Sequence, residues 1–246
     1  MTDNQHSPVP LPEQVSRGTL LRWVGWFGIV NAAILTLIGM RYVFAFALPD
    51  NGLAVTYMFL ASLSQFALLG TLPLLLLSLP LVLVFPRRRW VSFLGILVAA
   101  ISLTLLILDT NIFDQYRYHM SALTIAIFET STWILTVITL LSMLAFQTLL
   151  AGFVWRKCIK PNQGRSGVWL AIVLIIAAFV GQGIHVWADA SSFVPVTQFT
   201  RVLPLYYPLK AKRSLLKYGL MDEAEMQRSR SINHARAPET GQLLYP

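Results

Sequence analysis

Cysteine is nearly absent from this chain: Cys158 stands alone among 246 residues. A single thiol excludes an internal disulfide framework and any CxxC-type metal or redox site. Charge is also scarce, at 12% of residues, about half of what a soluble domain of this length carries. Acidic residues are fewer than basic ones, 11 against 19, which leaves a formal net charge of +8. The usual signatures of catalysis are missing too: there is no GxSxG, no glycine-rich phosphate loop, no HExxH and no paired-carboxylate constellation. Cys158 sits among Arg156, Lys157 and Lys160, a setting that favours thiolate in principle, but no partner residue makes it a nucleophile. Residues 1–19 lack the short apolar core and cleavage site of a signal peptide. No repeat with a period of 20–50 residues is visible.

What fills the space is apolar. Hydrophobic residues make up 56% of the chain, in runs long enough for helices that cross a bilayer core, which takes about 20 residues each. The predicted fold is all-α integral membrane, with five transmembrane helices over 20–188, an interfacial segment with short helices over 189–228, and a linker over 229–246. Residues 1–19, with Pro8, Pro10 and Pro12 and few large apolar groups, read as a disordered head. The first span is predicted from Trp23 to Leu48, with Trp23, Trp26, Tyr42 and Phe46 as aromatic belts at its ends. The second runs from Leu53 to Phe85, too long for one straight crossing and too short for two. Pro73 and Pro80 suggest one long, bent, tilted helix, with a re-entrant segment as the alternative. Spans three, four and five are predicted at Trp90–Leu108, Trp133–Trp155 and Val168–Trp187. Between spans three and four, residues 109–131 read as a loop with a short interfacial helix.

Basic residues orient these spans. Arg17 and Arg22, Arg87 to Arg89, and Arg156, Lys157, Lys160 and Arg165 all fall on one side. The opposite short loops hold only Arg41 and Arg117. The positive-inside rule puts the first set in the cytoplasm, so five crossings place the N-terminus inside and the C-terminus outside. The same pattern reads the net charge as orientation and contact with anionic phospholipid rather than nucleic acid.

The tail carries the most information. Residues 193–208 contain Pro195, Pro204 and Pro208, each of which disfavours helix at the preceding residue. They are expected to lie extended on the membrane surface, with Phe199, Tyr206 and Tyr207 at headgroup level. In residues 209–220, Leu209, Leu216 and Leu220 share one helical stripe. Lys210, Arg213 and Lys217 flank it on one side and Lys212 on the other. Such a helix lies in the interface with leucines down and cations at phosphate height. Gly219 is placed to end it, and Asp222 with Glu225 resembles a capping box.

Polar groups within or beside the spans have two readings. His119 and His185 are candidates for metal ligation with Asp109, Asp114 or Asp189, or for hydrogen bonds near the outer ends of spans three and five. The lack of a closely spaced histidine pair favours hydrogen bonding, and no cofactor is expected. Asn31, Gln65, Gln147 and Gln182 either line a solute path or join helices to one another, and joining is the commoner use. Ala177 and Gly181 form a small-xxx-small step suited to close packing within the bundle. Arg87 to Arg89 and Arg156 to Arg165 determine topology and offer a docking surface for a cytoplasmic partner.

Three segments carry a family resemblance: GWFGIVNAAILTLIGMRYVF, LLILDTNIFDQYRYHM and HVWADASSFVPVTQFTRVLPLYYPLKAKRSLLKYGLMDEAEMQ. Over residues 20–228 the chain resembles the N-terminal membrane domain of the PbgA/YejM family, inner-membrane regulators of lipopolysaccharide synthesis in Gram-negative bacteria. The resemblance implies five spans and a following periplasmic sulfatase-like domain, towards which 229–246 would lead. It implies lipid A binding by the segment after span five: Leu209, Lys210, Ala211, Lys212 and Arg213, with Lys217 nearby. The family pair facing the lipid phosphate is two arginines. Lys212 departs from it, replacing a two-pronged planar donor with a point charge. The resemblance also implies a LapB-type adaptor as partner. The expected function is a non-catalytic sensor of lipopolysaccharide. The alternatives are a membrane anchor for a periplasmic sulfatase-like phosphotransferase or hydrolase, and a small transporter.

Overall fold

A computed structural model describes residues 15–45, 49–157, 164–209, 217–219, 224, 227 and 231. The helices are α1 (Arg17–Phe44), α2 (Gly52–Val84), α3 (Arg88–Tyr116), α4 (Ala122–Ala126), α5 (Thr130–Lys157), α6 (Gly164–Ala190) and α7 (Val194–Thr197), followed by a 3-10 turn over Gln198–Arg201. No strand occurs among the described residues. Five helices, α1, α2, α3, α5 and α6, are long and apolar enough to cross a membrane. The chain is therefore an all-α integral membrane protein, as its composition requires.

Local chemistry sets the helix ends. Ser16 caps α1 by accepting the Thr19 N–H at 3.2 Å. Asn51 caps α2 by accepting from Leu53 and Ala54, satisfying donors that a helix N-terminus leaves open. The expected disordered head thus gives way to helix at Arg17, and residues 1–14 lie outside the described set. α2 runs unbroken through Pro73 and Pro80, about 50 Å at 1.5 Å per residue, so a re-entrant fold of this segment is ruled out. α3 continues eight residues past the expected Leu108 and ends at Arg117, whose φ of 59° is left-handed. Asp109 opens the more polar stretch 109–131 that the sequence assigns to a loop. It is helical because its oxygens are hydrogen-bonded, and Thr110 Oγ1 donates back to the Ile107 carbonyl at 2.9 Å.

α1, α2 and α3 form the packed centre. α5 lies mainly against α3 and α6 mainly against α2, so these two flank the bundle and turn most of their surface outward. Gly70 lets α1 and α2 touch, because a Cβ there would lie 2.8 Å from the Ala32 Cα. Gly39 makes room for the Phe66 ring, which a Cβ would meet at 2.3 Å. The expected Ala177–Gly181 step faces α2, with Gly181 in ordinary contact with Leu60 and Ala61.

Two cores result, one at each end. At the end bearing Arg87 to Arg89, the cationic end, Leu20, Trp23, Val24, Phe27, Leu74 and Val154 are buried together. At the opposite end Tyr42, Tyr57, Phe66, Leu103 and Phe113 are buried with residues from the tail. Trp23 and Tyr42 are therefore core residues rather than belt anchors. Trp23 stacks on Phe27 and Trp155, and Tyr42 stacks on Phe66. An aromatic residue at a span end carries the same sequence signal whether it faces lipid or a neighbouring helix.

The tail after α6 departs most from expectation. Residues 193–206 are not laid along a surface; they turn back as α7 and the 3-10 turn, and bury Val196, Phe199, Val202, Leu203 and Tyr206 in the second core. Pro195 sits in the first turn of α7, where its missing N–H has no helical partner to lose. We call 193–209 the strap, and its end of the bundle the strap end.

Candidate functional site

A Schellman motif starts the strap. The Phe193 N–H bonds the Ala188 carbonyl at 2.7 Å and the Ser192 N–H bonds Asp189 at 3.3 Å, with Ser192 at φ 56°. The Trp187 and Phe193 rings, centroids 5.6 Å apart, supply the apolar contact that often accompanies this stop. The chain is thereby sent back over the bundle instead of away from it.

Four side chains of α2 and α6 then hold the strap. Gln65 Nε2 donates to the Pro204 carbonyl at 2.8 Å. The Tyr57 hydroxyl donates to the Tyr206 hydroxyl at 3.3 Å, and burial pushes the Tyr206 phenol up from its ordinary pKa, so it stays neutral. Gln182 Oε1 accepts the Leu209 N–H at 2.9 Å. His185 Nδ1 donates to the Leu209 carbonyl at 3.2 Å. From Leu205 to Leu209 the sides alternate: Tyr206 is buried, while Leu205, Tyr207 and Leu209 are 74%, 88% and 65% exposed. Tyr207 thus faces outward as expected, whereas Phe199 and Tyr206 do not.

A second polar cluster braces the strap from α3. Asp109 accepts from the Tyr42 hydroxyl at 2.5 Å, is bonded to His119 Nδ1 at 2.7 Å, and accepts from the Met120 N–H. The other ring nitrogen of His119, Nε2, donates to the Arg201 carbonyl at 3.2 Å. A carbonyl only accepts, so both bonds of His119 coexist when an imidazolium faces a carboxylate, or when a neutral ring faces a protonated Asp109. Beside them Arg41 pairs with Asp114 and donates to Asn111 at 3.1 Å, and Arg117 donates to the Ala45 carbonyl at 2.9 Å. The histidines are thus hydrogen-bonding groups. Among the described residues no cluster of three or more His, Cys, Asp or Glu is arranged to hold a metal.

Of the expected lipid-binding residues, Leu209 lies outside any helix rather than on the stripe of one, because its backbone is bonded to α6. Lys217 is helical and exposed, with its Nζ 6.0 Å from the Tyr218 ring centroid. Gly219 has φ 66°, the left-handed conformation expected of a helix stop. Lys210, Ala211, Lys212 and Arg213 lie outside the described residues, as do Leu216, Leu220, Asp222 and Glu225.

The amides within the spans join elements. Gln147 Nε2 donates to Asn31 Oδ1 at 2.6 Å, linking α5 to α1, and Gln65 and Gln182 bind the strap. Their role as joints was legible from sequence, whereas their use by the tail was not. Tyr57 was missed: a tyrosine in a leucine-rich run carries no signal until its partner, 149 residues away, is known.

Comparison with known proteins extends these observations. The family model described as "Domain of unknown function (DUF3413)" matches residues 12–246. The chain is 29% identical over 242 residues to "Inner membrane protein YejM" of Salmonella typhimurium, covering 95% of this chain and 41% of that protein, and matches its Salmonella typhi counterpart equally. It is 26% identical over 216 residues to an uncharacterized protein of Haemophilus influenzae, covering 83% of this chain and 36% of that one. The chain spans roughly two fifths of the length of these curated relatives.

Proposed function

The chain belongs to the DUF3413 family, and on that premise we propose that it is a non-catalytic inner-membrane regulator that senses lipopolysaccharide through lipid A and adjusts lipopolysaccharide synthesis through an adaptor. In this reading the cationic end faces the cytoplasm, the strap end faces the periplasm, and the C-terminus is periplasmic. The site is Leu209, Lys210, Ala211, Lys212, Arg213 and Lys217, with anionic phospholipid as the competing ligand. The observation that carries it is the docking of the strap: the chain is tied to the bundle as far as Leu209, immediately before Lys210, Lys212 and Arg213. Cations delivered from a fixed point can meet phosphates at a defined height, and each contributes about 1 kcal/mol near an anionic surface.

Regulation requires that lipid A bind two states of the bundle unequally. The strap supplies the connection, because α2, α6 and the Asp109–His119 cluster all grip it. A LapB-type adaptor would read the change at the cytoplasmic side, where Arg87 to Arg89 and Arg156 are exposed. The test is lipid mass spectrometry on the purified chain. Replacing Lys212 and Arg213 together with alanine is expected to strip most co-purifying lipopolysaccharide while leaving the fold intact. Unchanged retention rejects the site. Lys212→Arg, which restores a forked phosphate donor, is expected to raise retention.

One observation favours a second reading. Three fifths of the YejM relatives lie outside the match, as would be so for a membrane anchor of a larger periplasmic hydrolase or phosphotransferase. Metal ligands and a Ser or Thr nucleophile in that remainder would favour the anchor. Solute transport gains nothing from the geometry, since Asn31, Gln65, Gln147 and Gln182 are each hydrogen-bonded within the protein.

A further inference from the structure

Two side chains less than one turn apart on α6 hold a single residue of the strap. Gln182 Oε1 takes the Leu209 N–H at 2.9 Å and His185 Nδ1 gives a hydrogen bond to the Leu209 carbonyl at 3.2 Å. Residues three apart on a helix share a face, so the pair offers an acceptor and a donor side by side. A neighbouring strand offers the same pattern to an extended residue. Packing does not explain the position of Leu209, whose side chain is 65% exposed. The grip is on its backbone alone. His185 is itself fixed, being 2% exposed with its ring 6.0 Å from that of Tyr57.

Covalent geometry extends the consequence to the cations. Lys210 follows Leu209 directly in sequence, and Arg213 is four residues on. A segment anchored at one end samples fewer positions than a free one, and such preorganisation strengthens binding by lowering its entropic cost. We propose that Gln182 and His185 are positioning residues for the anionic headgroup site that begins at Lys210. They touch no ligand and act by fixing the backbone of Leu209. This inference rests on the lipid reading above.

The test uses the full chain in phosphatidylcholine nanodiscs with bisphosphorylated lipid A as probe. It combines affinity with hydrogen exchange at the Leu209 and Val202 amides. Gln182→Leu and His185→Phe are expected to weaken lipid A binding at least fivefold and to speed exchange at Leu209. The Val202 amide, bonded to Phe199, is expected to stay protected, marking the effect as local. His185→Asn, whose side-chain amide restores a donor, is expected to recover both readouts. Gln182 is only partly buried, so Gln182→Leu keeps the test decisive where His185→Phe unsettles the bundle. Unchanged affinity in Gln182→Leu and His185→Phe, alongside loss in the Lys212→Ala, Arg213→Ala double variant, overturns the positioning role and leaves the lipid reading standing. Unchanged affinity in all of them removes the lipid reading, and the positioning role with it. Unchanged exchange at Leu209 in Gln182→Leu shows that the clamp is not what holds the strap, and overturns the inference directly.

Discussion

The two ends of this bundle are built on opposite electrostatic plans. At the cationic end Arg17, Arg22, Arg87, Arg88, Arg89, Arg156 and Lys157 gather with no Asp or Glu in the helical turns around them. The neighbouring core is aromatic, with Trp23 between Phe27 and Trp155 and the Arg88 guanidinium 4.4 Å from the Trp155 ring centroid. At the strap end acids and bases alternate, and the Arg41–Asp114 ion pair and the His119–Asp109 hydrogen bond both lie there. The contrast separates two uses of charge. Uncompensated cations interact with headgroups and the membrane potential and need no fixed geometry. Compensated groups fix geometry: the three bonds at Asp109 tie α3 to α1 through Tyr42 and to the chain before α4 through His119 and Met120. The strap is tied to the second kind of end as far as Leu209.

The largest effect expected from this contrast is all-or-none. α5 ends at Lys157, at the cationic end, and the sole thiol, Cys158, is next in sequence. A membrane-impermeant maleimide is expected to label it in inverted inner-membrane vesicles and not in intact spheroplasts. Labelling from the periplasmic side would reverse the two ends and take the lipid site with them. Next comes core deletion at each end. The Phe66 ring fills the space left by Gly39 and stacks on Tyr42. Phe66→Ala is expected to cost about 3–5 kcal/mol, read as a lower thermal unfolding midpoint, and to expose 193–209 to protease. Trp155→Ala, which removes the Trp23 stack and the Ser92 hydrogen bond, is expected to lower the midpoint without exposing the strap. Release of the strap by Trp155→Ala would show that the ends are not independent.

A smaller effect tests the polar cluster alone. His119→Phe keeps a ring against Phe113, now 4.7 Å from the imidazole centroid, but deletes the bonds to Asp109 and to Arg201. The expected loss is about 1–3 kcal/mol, because a partner at Asp109 is left unpaired. His119→Gln, which keeps a donor, is expected to lose less. Equal losses from both would mean that ring packing rather than hydrogen bonding holds the strap at Arg201.

Much of this plan was legible in the sequence, and the parts that were not share a cause. The five spans, the unbroken α2 and the Asn and Gln joints follow from run length and from the need of polar groups in lipid to find partners. The placement of Asp109 in a loop, of Trp23 and Tyr42 in belts and of Phe199 and Tyr206 on the surface all assumed that a polar or aromatic group at a span end meets water or headgroups. Each instead meets protein 10 to 149 residues away. Proline misled similarly, since Pro195 opens α7 rather than preventing it. Hydropathy reports whether a residue needs a partner but not which one, so the strap was invisible until the bundle was assembled.

Backbone strain sharpens the comparison last and least. Arg117, Ser192 and Leu205 are the non-glycine residues with positive φ among those described, and all three lie at the strap end. Arg117 and Ser192 end helices, where a left-handed residue satisfies open carbonyls. Leu205 ends none. It sits at φ 53° between Pro204, held by Gln65, and Tyr206, held by Tyr57. Those two anchors force the turn, at a cost of about 1–2 kcal/mol for a side chain with a Cβ. Leu205→Gly removes that cost but gives the unfolded chain more freedom, worth about 0.4–1 kcal/mol. The expected net result is a gain of at most about 1.6 kcal/mol in stability. Lipid A affinity is expected to stay unchanged, because Gln182 and His185 still fix Leu209. A fall in stability would mean that the exposed leucine contributes more through contact with the surrounding lipid than its backbone costs, and that the turn is anchored from outside the protein as well as from within.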